Sequence, residues 1–144
     1  MKSFQLILRN LRQIDTLYNR KISKDLSEIS TGHHFEVLLI LSRQVSPITQ
    51  NQLAELLQID KSRMANIVFY LEQNELVTVK VNPADRRQHY VSLSANALNA
   101  IPYIENKVQQ VNDVVQTGIS EEKLKVFLEV SETIRQNLIK KVTE

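Results

Sequence analysis

The sequence has 144 residues, 42% of them hydrophobic, which suits one compact domain with a core of its own. Its formal charge is only +2, from 18 Lys and Arg against 16 Asp and Glu, so any basic surface must come from sorting of charge and not from excess. The absence of Cys excludes disulfides, thiolate metal sites and a cysteine redox switch, while two Gly and three Pro leave few breaks and favour long helices.

Between residues 4 and 26, Phe4, Leu8, Leu11, Tyr18, Ile22 and Leu26 recur at intervals of three, four and seven. That period predicts an amphipathic helix with a broad apolar face, widened by Ile7, Ile14 and Leu17. Ser30-Thr31-Gly32 breaks the pattern, and a second helix of about a dozen residues is expected from His33 or His34. Its run Phe35, Val37, Leu38, Leu39, Ile40, Leu41 is apolar nearly all round, so it should be central; Ser46-Pro47-Ile48 stops it. Thr49 with Gln52 three residues later makes a capping box for a short third helix that turns Leu53, Leu56 and Leu57 inward. Gln58-Ile59 is a tight connection with Ile59 filling the corner, and Asp60 caps a fourth helix through about Gln73. Met64, Ile67, Val68 and Leu71 are its inward residues.

The period then changes. Leu76 to Val81 is rich in β-branched residues, Asn82-Pro83-Ala84-Asp85 is turn chemistry, and His89 to Leu93 alternates cleanly, so a two-stranded hairpin is expected. Ser94 caps a fifth helix with a seam of Ala97, Ile101, Ile104, Val108, Val111 and Val115, kinked near Pro102. Gly118 ends it, and Ser120-Glu121-Glu122 starts a sixth helix bearing Leu124, Phe127, Leu128, Ile134, Leu138 and Val142.

Helix, tight turn, helix, strand, turn, strand across residues 49–93 is the order of a winged helix-turn-helix. The fold class is therefore mainly α: about six helices plus a two-stranded wing, in a single domain spanning 1–144. In such a lobe the second short helix offers its polar face to the major groove. Here that face carries Lys61, Ser62, Arg63, Asn66 and Tyr70. Arg63 suits guanine O6 and N7, and Asn66 suits adenine N6 and N7. Ser62 joins them at the helix start, and Thr49, Gln50, Lys61 and Tyr70 are candidate phosphate contacts. Five cations in 49–93 (Lys61, Arg63, Lys80, Arg86, Arg87) balance five acids (Glu55, Asp60, Glu72, Glu75, Asp85), yet Lys61 to Leu71 holds two cations and no acid. Sorted charge of this kind binds phosphate with a moderate salt dependence.

Gln52 to Ser62 resembles the helix-turn-helix of the MarR family of bacterial regulators, and Pro83-Ala84-Asp85-Arg86-Arg87-Gln88-His89-Tyr90-Val91-Ser92-Leu93-Ser94 is similar to that family's wing. The resemblance extends over essentially the whole chain. It implies that Arg87 enters the minor groove, that Asp85 orients it, and that Arg86 is its rival or a phosphate contact. A narrow minor groove concentrates negative potential, which favours such an insertion. The sequence departs from the family where Glu75 and Ala97 stand in place of glycines; Asn74 is one candidate for the left-handed position before the strand.

The resemblance further implies a homodimer paired through 1–30 and 95–144 that reads a pseudo-palindromic operator, acts as a repressor, and is released by a small aromatic or amphipathic effector. Tyr18, His33, His34, Phe35 and Tyr103 are the residues that would border an effector cleft. No cofactor is expected, and no metal site, since adjacent histidines rarely point at one ion. The sequence has no phosphate loop, HExxH or nucleophile elbow, so an enzyme is not expected. The competing expectation is a winged helix that binds protein and not DNA. The longest purely apolar run, Val37 to Leu41, is far short of the roughly 18 residues of a membrane span, and Gln5 and Arg9 interrupt any signal segment; a soluble, cytoplasmic protein is expected.

Overall fold

The structure, a computed structural model, describes residues 2–32 and 34–143. Its elements are α1 (Lys2–Asp25), α2 (Phe35–Ser42), β1 (Ile48–Thr49), α3 (Gln50–Leu57), α4 (Lys61–Gln73), β2 (Val77–Asn82), β3 (Asp85–Leu93), α5 (Ala95–Val115) and α6 (Glu121–Thr143). By contacts the chain divides into two compact units, residues 1–111 and residues 112–144.

In the first unit the expected inward residues meet in one core. Ile22 and Leu26 come from α1, Phe35, Val37, Leu38, Leu39 and Leu41 from α2, and Met64, Ile67, Val68 and Leu71 from α4. Leu53 and Ala54 of α3, Ile48, Val77 and Val91 of the sheet, Leu76 ahead of it, and Ala97, Ile101, Ile104, Val108 and Val111 of α5 complete it. Leu56, expected inward, is exposed, because Leu53 and Ala54 already fill the face that α3 turns to the core. Only the C-terminal end of α1 is buried; Leu6, Ile7, Leu11, Ile14 and Leu17 remain exposed.

The sheet has three strands and not two, in the order β1-β3-β2. Ile48 pairs with Val91 and Thr49 with Tyr90, antiparallel. Two residues are too few to show a period, so this strand is invisible to pattern reading. The second helix is shorter than expected, eight residues from Phe35. Ahead of it, Gly32 turns at φ +58° and the His34 amide donates to the Thr31 carbonyl at 3.1 Å.

Both helices of the helix-turn-helix end in the same way. After α3, the Ile59 amide reaches the Ala54 carbonyl at 3.0 Å and the Gln58 amide the Glu55 carbonyl at 3.2 Å, with Gln58 at φ +55°. After α4, Leu76 reaches Leu71 at 2.9 Å and Glu75 reaches Glu72 at 3.0 Å, with Glu75 at φ +59°. These are Schellman ends, in which a left-handed residue lets the chain double back and bury the next apolar side chain. Glu75, not Asn74, takes the left-handed position; Asn74 sits at φ −91°. Ser94 ties this turn down: its hydroxyl donates to the Glu75 carbonyl at 2.7 Å and accepts from the Ala97 amide at 3.1 Å, capping α5. Helix α5 runs on through Pro102.

In the second unit, Gly118 turns at φ +78° and Ser120 caps α6 by accepting the Lys123 amide at 3.2 Å. Glu121 and Glu122 in the first turn and Lys140 and Lys141 in the last match the helix dipole. Val126, Phe127, Leu128, Val130, Leu138 and Ile139 of α6 are exposed.

Candidate nucleic-acid interface

Thr49 closes β1 and opens α3. Its hydroxyl accepts the Gln52 amide at 3.1 Å while the Gln52 side chain accepts the Thr49 amide at 2.8 Å, so the capping box is formed from both sides. Accepting leaves the Thr49 hydroxyl proton available to an outside acceptor. Gln50, the first residue of α3, is half-buried.

Helix α4 begins at Asp60, whose Oδ1 accepts the Arg63 amide at 2.7 Å and the Ser62 hydroxyl at 2.7 Å. The Arg63 backbone bond, then the Ser62 bond, hold the Asp60 carboxyl below its usual range. The bond also sets what Ser62 can do. With its proton given to Asp60, Ser62 faces outward as an acceptor, suited to a base amino group more than to a phosphate. Met64, Ile67, Val68 and Leu71 are buried, so the opposite side of the helix, at about 100° per residue, is the stripe Ser62, Asn66, Phe69 and Gln73. All four are exposed, with Arg63 and Lys61 on the two flanks. Among the described residues the ion pairs are Lys21–Asp25, Arg87–Asp85 and Arg135–Glu132, so Lys61, Arg63 and Arg86 have no carboxylate partner.

Phe69 is the member of this stripe that sequence reading missed. An apolar residue on α4 is naturally assigned to the core, but its spacing of three from Asn66 and four to Gln73 already puts it outside. Tyr70 lies a further step round the helix. Its ring stacks edge-on against His34 at 5.5 Å, and a Cβ at Gly32 would meet its hydroxyl at 3.3 Å. Any side chain at position 32 would therefore be strained twice, by its positive φ and by this ring.

The wing places its arginines by an interruption of register. Val81 pairs with His89 and Asn82 with Asp85, so Arg86, Arg87 and Gln88 are extra residues on β3 with no opposite partner on β2. Such a bulge throws side chains out of the sheet. The Asn82 side chain braces it, accepting the Ala84 amide at 2.9 Å and donating to Gln88 Oε1 at 2.8 Å. Asp85 Oδ1 accepts both the backbone amide and Nε of Arg87 at 3.1 Å, and Oδ2 accepts an Arg87 terminal nitrogen at 3.4 Å. The Arg87 side-chain bond, then its backbone bond, hold the Asp85 carboxyl below the usual range. The Arg87 side chain is nonetheless 91% exposed. A guanidinium oriented yet solvated in this way has already lost part of the freedom that insertion into a groove would remove.

The residues expected to border an effector cleft make the following contacts. Tyr18 and Phe35 have ring centroids 6.2 Å apart, His34 stacks on Tyr70, and the Tyr103 hydroxyl donates to the Asp25 carbonyl at 3.5 Å. Burial, then the neighbouring Glu36 charge, pushes the Tyr18 phenol up. His33 lies outside the described residues. A cavity of about 770 Å³ opens elsewhere, between the α2–β1 loop, the sheet and Leu98, with Lys80 and Tyr90 on its wall. Among the described residues no cluster of His, Asp or Glu has the arrangement to hold a metal ion, and no helix is long and apolar enough to cross a membrane.

Residues 31–88 match the model of the MarR family. No curated protein matches the chain. Among solved structures, the chain is similar to reduced AbfR bound to DNA, at 19% identity and a TM-score of 0.81 over 96% of this chain and 97% of that one. It is similar to the transcriptional regulator SlyA, at 22% identity and a TM-score of 0.77 over 92% and 93%. A MarR transcriptional regulator from Methanosarcina mazei Go1 matches at 20% identity and a TM-score of 0.74 over 97% and 99%. At these identities the likeness is one of fold.

Proposed function

We propose that the chain is a MarR-family winged helix-turn-helix protein and a sequence-specific, DNA-binding transcriptional regulator. The observation that carries this reading is the wing: a bulge that serves no strand pairing holds Arg87 outward on a bidentate Asp85 clamp. A solvated salt bridge adds little to stability, so the arrangement is better explained by a polyanion that Arg87 meets. Helix α4 supports the same reading, with unpaired Lys61 and Arg63 beside Asn66 on its exposed side. The solved structure of AbfR, a fold neighbour, is bound to DNA.

In this reading 49–93 is the DNA-binding lobe. Arg63, Asn66 and Ser62 face base edges, Thr49, Gln50, Lys61 and Tyr70 face phosphates, and Asp85, Arg86 and Arg87 form the wing contact, Arg87 in the minor groove. The exposed apolar faces of α1 and α6 support pairing of two copies through 1–30 and 95–144. Two copies would set their α4 helices about 34 Å apart on one face of a pseudo-palindromic operator. Occupation of that operator represses transcription, and a small aromatic or amphipathic effector releases it.

Footprinting on genomic DNA tests the reading. A protected site of two related half-sites about one helical turn apart is the expected result. No protection anywhere, together with capture of DNA-free protein complexes, would instead favour a protein-binding winged helix.

A further inference from the structure

Phe69 is 62% exposed, in the middle of a polar stripe, and among the described residues no aromatic ring packs against it. Leaving most of a Phe side chain in water forfeits much of its burial free energy, so its place on this face calls for an apolar partner. The major groove offers one: the C5-methyl of thymine is the apolar group that base edges present there. We propose that Phe69 is a specificity residue that packs on thymine methyls, and so selects T over C at one or two positions of each half-site.

The inference rests on the DNA-binding reading and sharpens it. Three residues along α4 advance about 4.5 Å, a little more than one base step of about 3.4 Å. With Asn66 on an adenine, Phe69 therefore falls over the next base pair or the one after. A phenyl ring is wide enough to span methyl groups on consecutive bases. Lys61 and Arg63 on the flanks would hold the helix against the DNA while the ring excludes water from the methyl contact.

The test takes the operator defined by footprinting and replaces each dT of one half-site by dU, which removes a methyl and leaves every hydrogen-bonding group in place. Affinities are measured for the wild-type protein, Phe69→Ala and Phe69→Leu. At one or two positions dU should weaken the wild type about fourfold, the worth of one buried carbon. Phe69→Ala should bind the dT and dU operators equally, and Phe69→Leu should keep part of the discrimination. If the wild type protects the operator but dU weakens it nowhere, or weakens Phe69→Ala as much, Phe69 reads no methyl. If the wild type protects no DNA at all, the DNA-binding reading falls and this inference with it.

Discussion

The core of the first unit and the outer face of α6 are written in the same apolar alphabet and end in opposite states. Leu38, Leu53, Met64 and Leu71 are fully buried, whereas Phe127, Leu128 and Leu138 are each more than half exposed. Periodicity shows that a helix has an apolar face; it does not show whether that face is covered from within the same chain. The contrast teaches where each substitution should register: in the stability of the fold for the first set and, under the proposed pairing, in the association of copies for the second.

The largest effect is expected in the core. Leu38→Ala should cost about 2–5 kcal/mol in denaturant unfolding, since Leu38 is fully buried and its truncation leaves a cavity in the core. Leu128→Glu should leave the helical fold intact by circular dichroism. If two copies pair as proposed, it should shift the protein from dimer to monomer in sedimentation and weaken operator binding by about 100-fold or more, as one half-site is lost. A monomer fold as damaged as that of Leu38→Ala would erase the distinction. Smaller effects sharpen it within the lobe. Thr49→Ala removes one side of the capping box and should cost about 1 kcal/mol. Glu75→Gly should stabilise by up to about 1 kcal/mol, because the left-handed backbone at φ +59° penalises a side chain.

The wing gives the smallest and most local signal, a titration. The Asp85 carboxyl is depressed in the folded protein, so its bond to Arg87 is intact above the ordinary value of 3.8 and lost only as pH falls through the lower folded value. Carboxyl NMR should show an Asp85 midpoint below 3.8 that moves back toward 3.8 in Arg87→Ala.

Much of this was legible in the residues. The four-and-three spacing of Met64, Ile67, Val68 and Leu71, with Asp60 ahead of it, defines α4, and the structure forms that cap and that buried face. The Asp85–Arg87 pairing implied by the family's wing is formed as well. What escaped did so for physical reasons. Strand β1 is two residues long and draws its definition from β3, more than forty residues away in the chain. The left-handed turn at Glu75 is set by the need to bury Leu76, and a hydrogen-bonded Schellman end with Ser94 beneath it overrides the preference for Gly or Asn. Phe69 was hidden by its type: apolar residues are read as inward until a neighbour's exposure shows otherwise.

The central claim is that α4 and the Asp85–Arg87 bulge together grip DNA. Fluorescence anisotropy with operator DNA, run over a salt series for the wild type, Arg63→Ala and Arg87→Ala, tests it most directly. Wild-type affinity should fall with salt, and each variant should bind about tenfold or more weaker, with Arg87→Ala showing a shallower salt slope. Affinity that ignores salt and survives both substitutions unchanged would contradict the account.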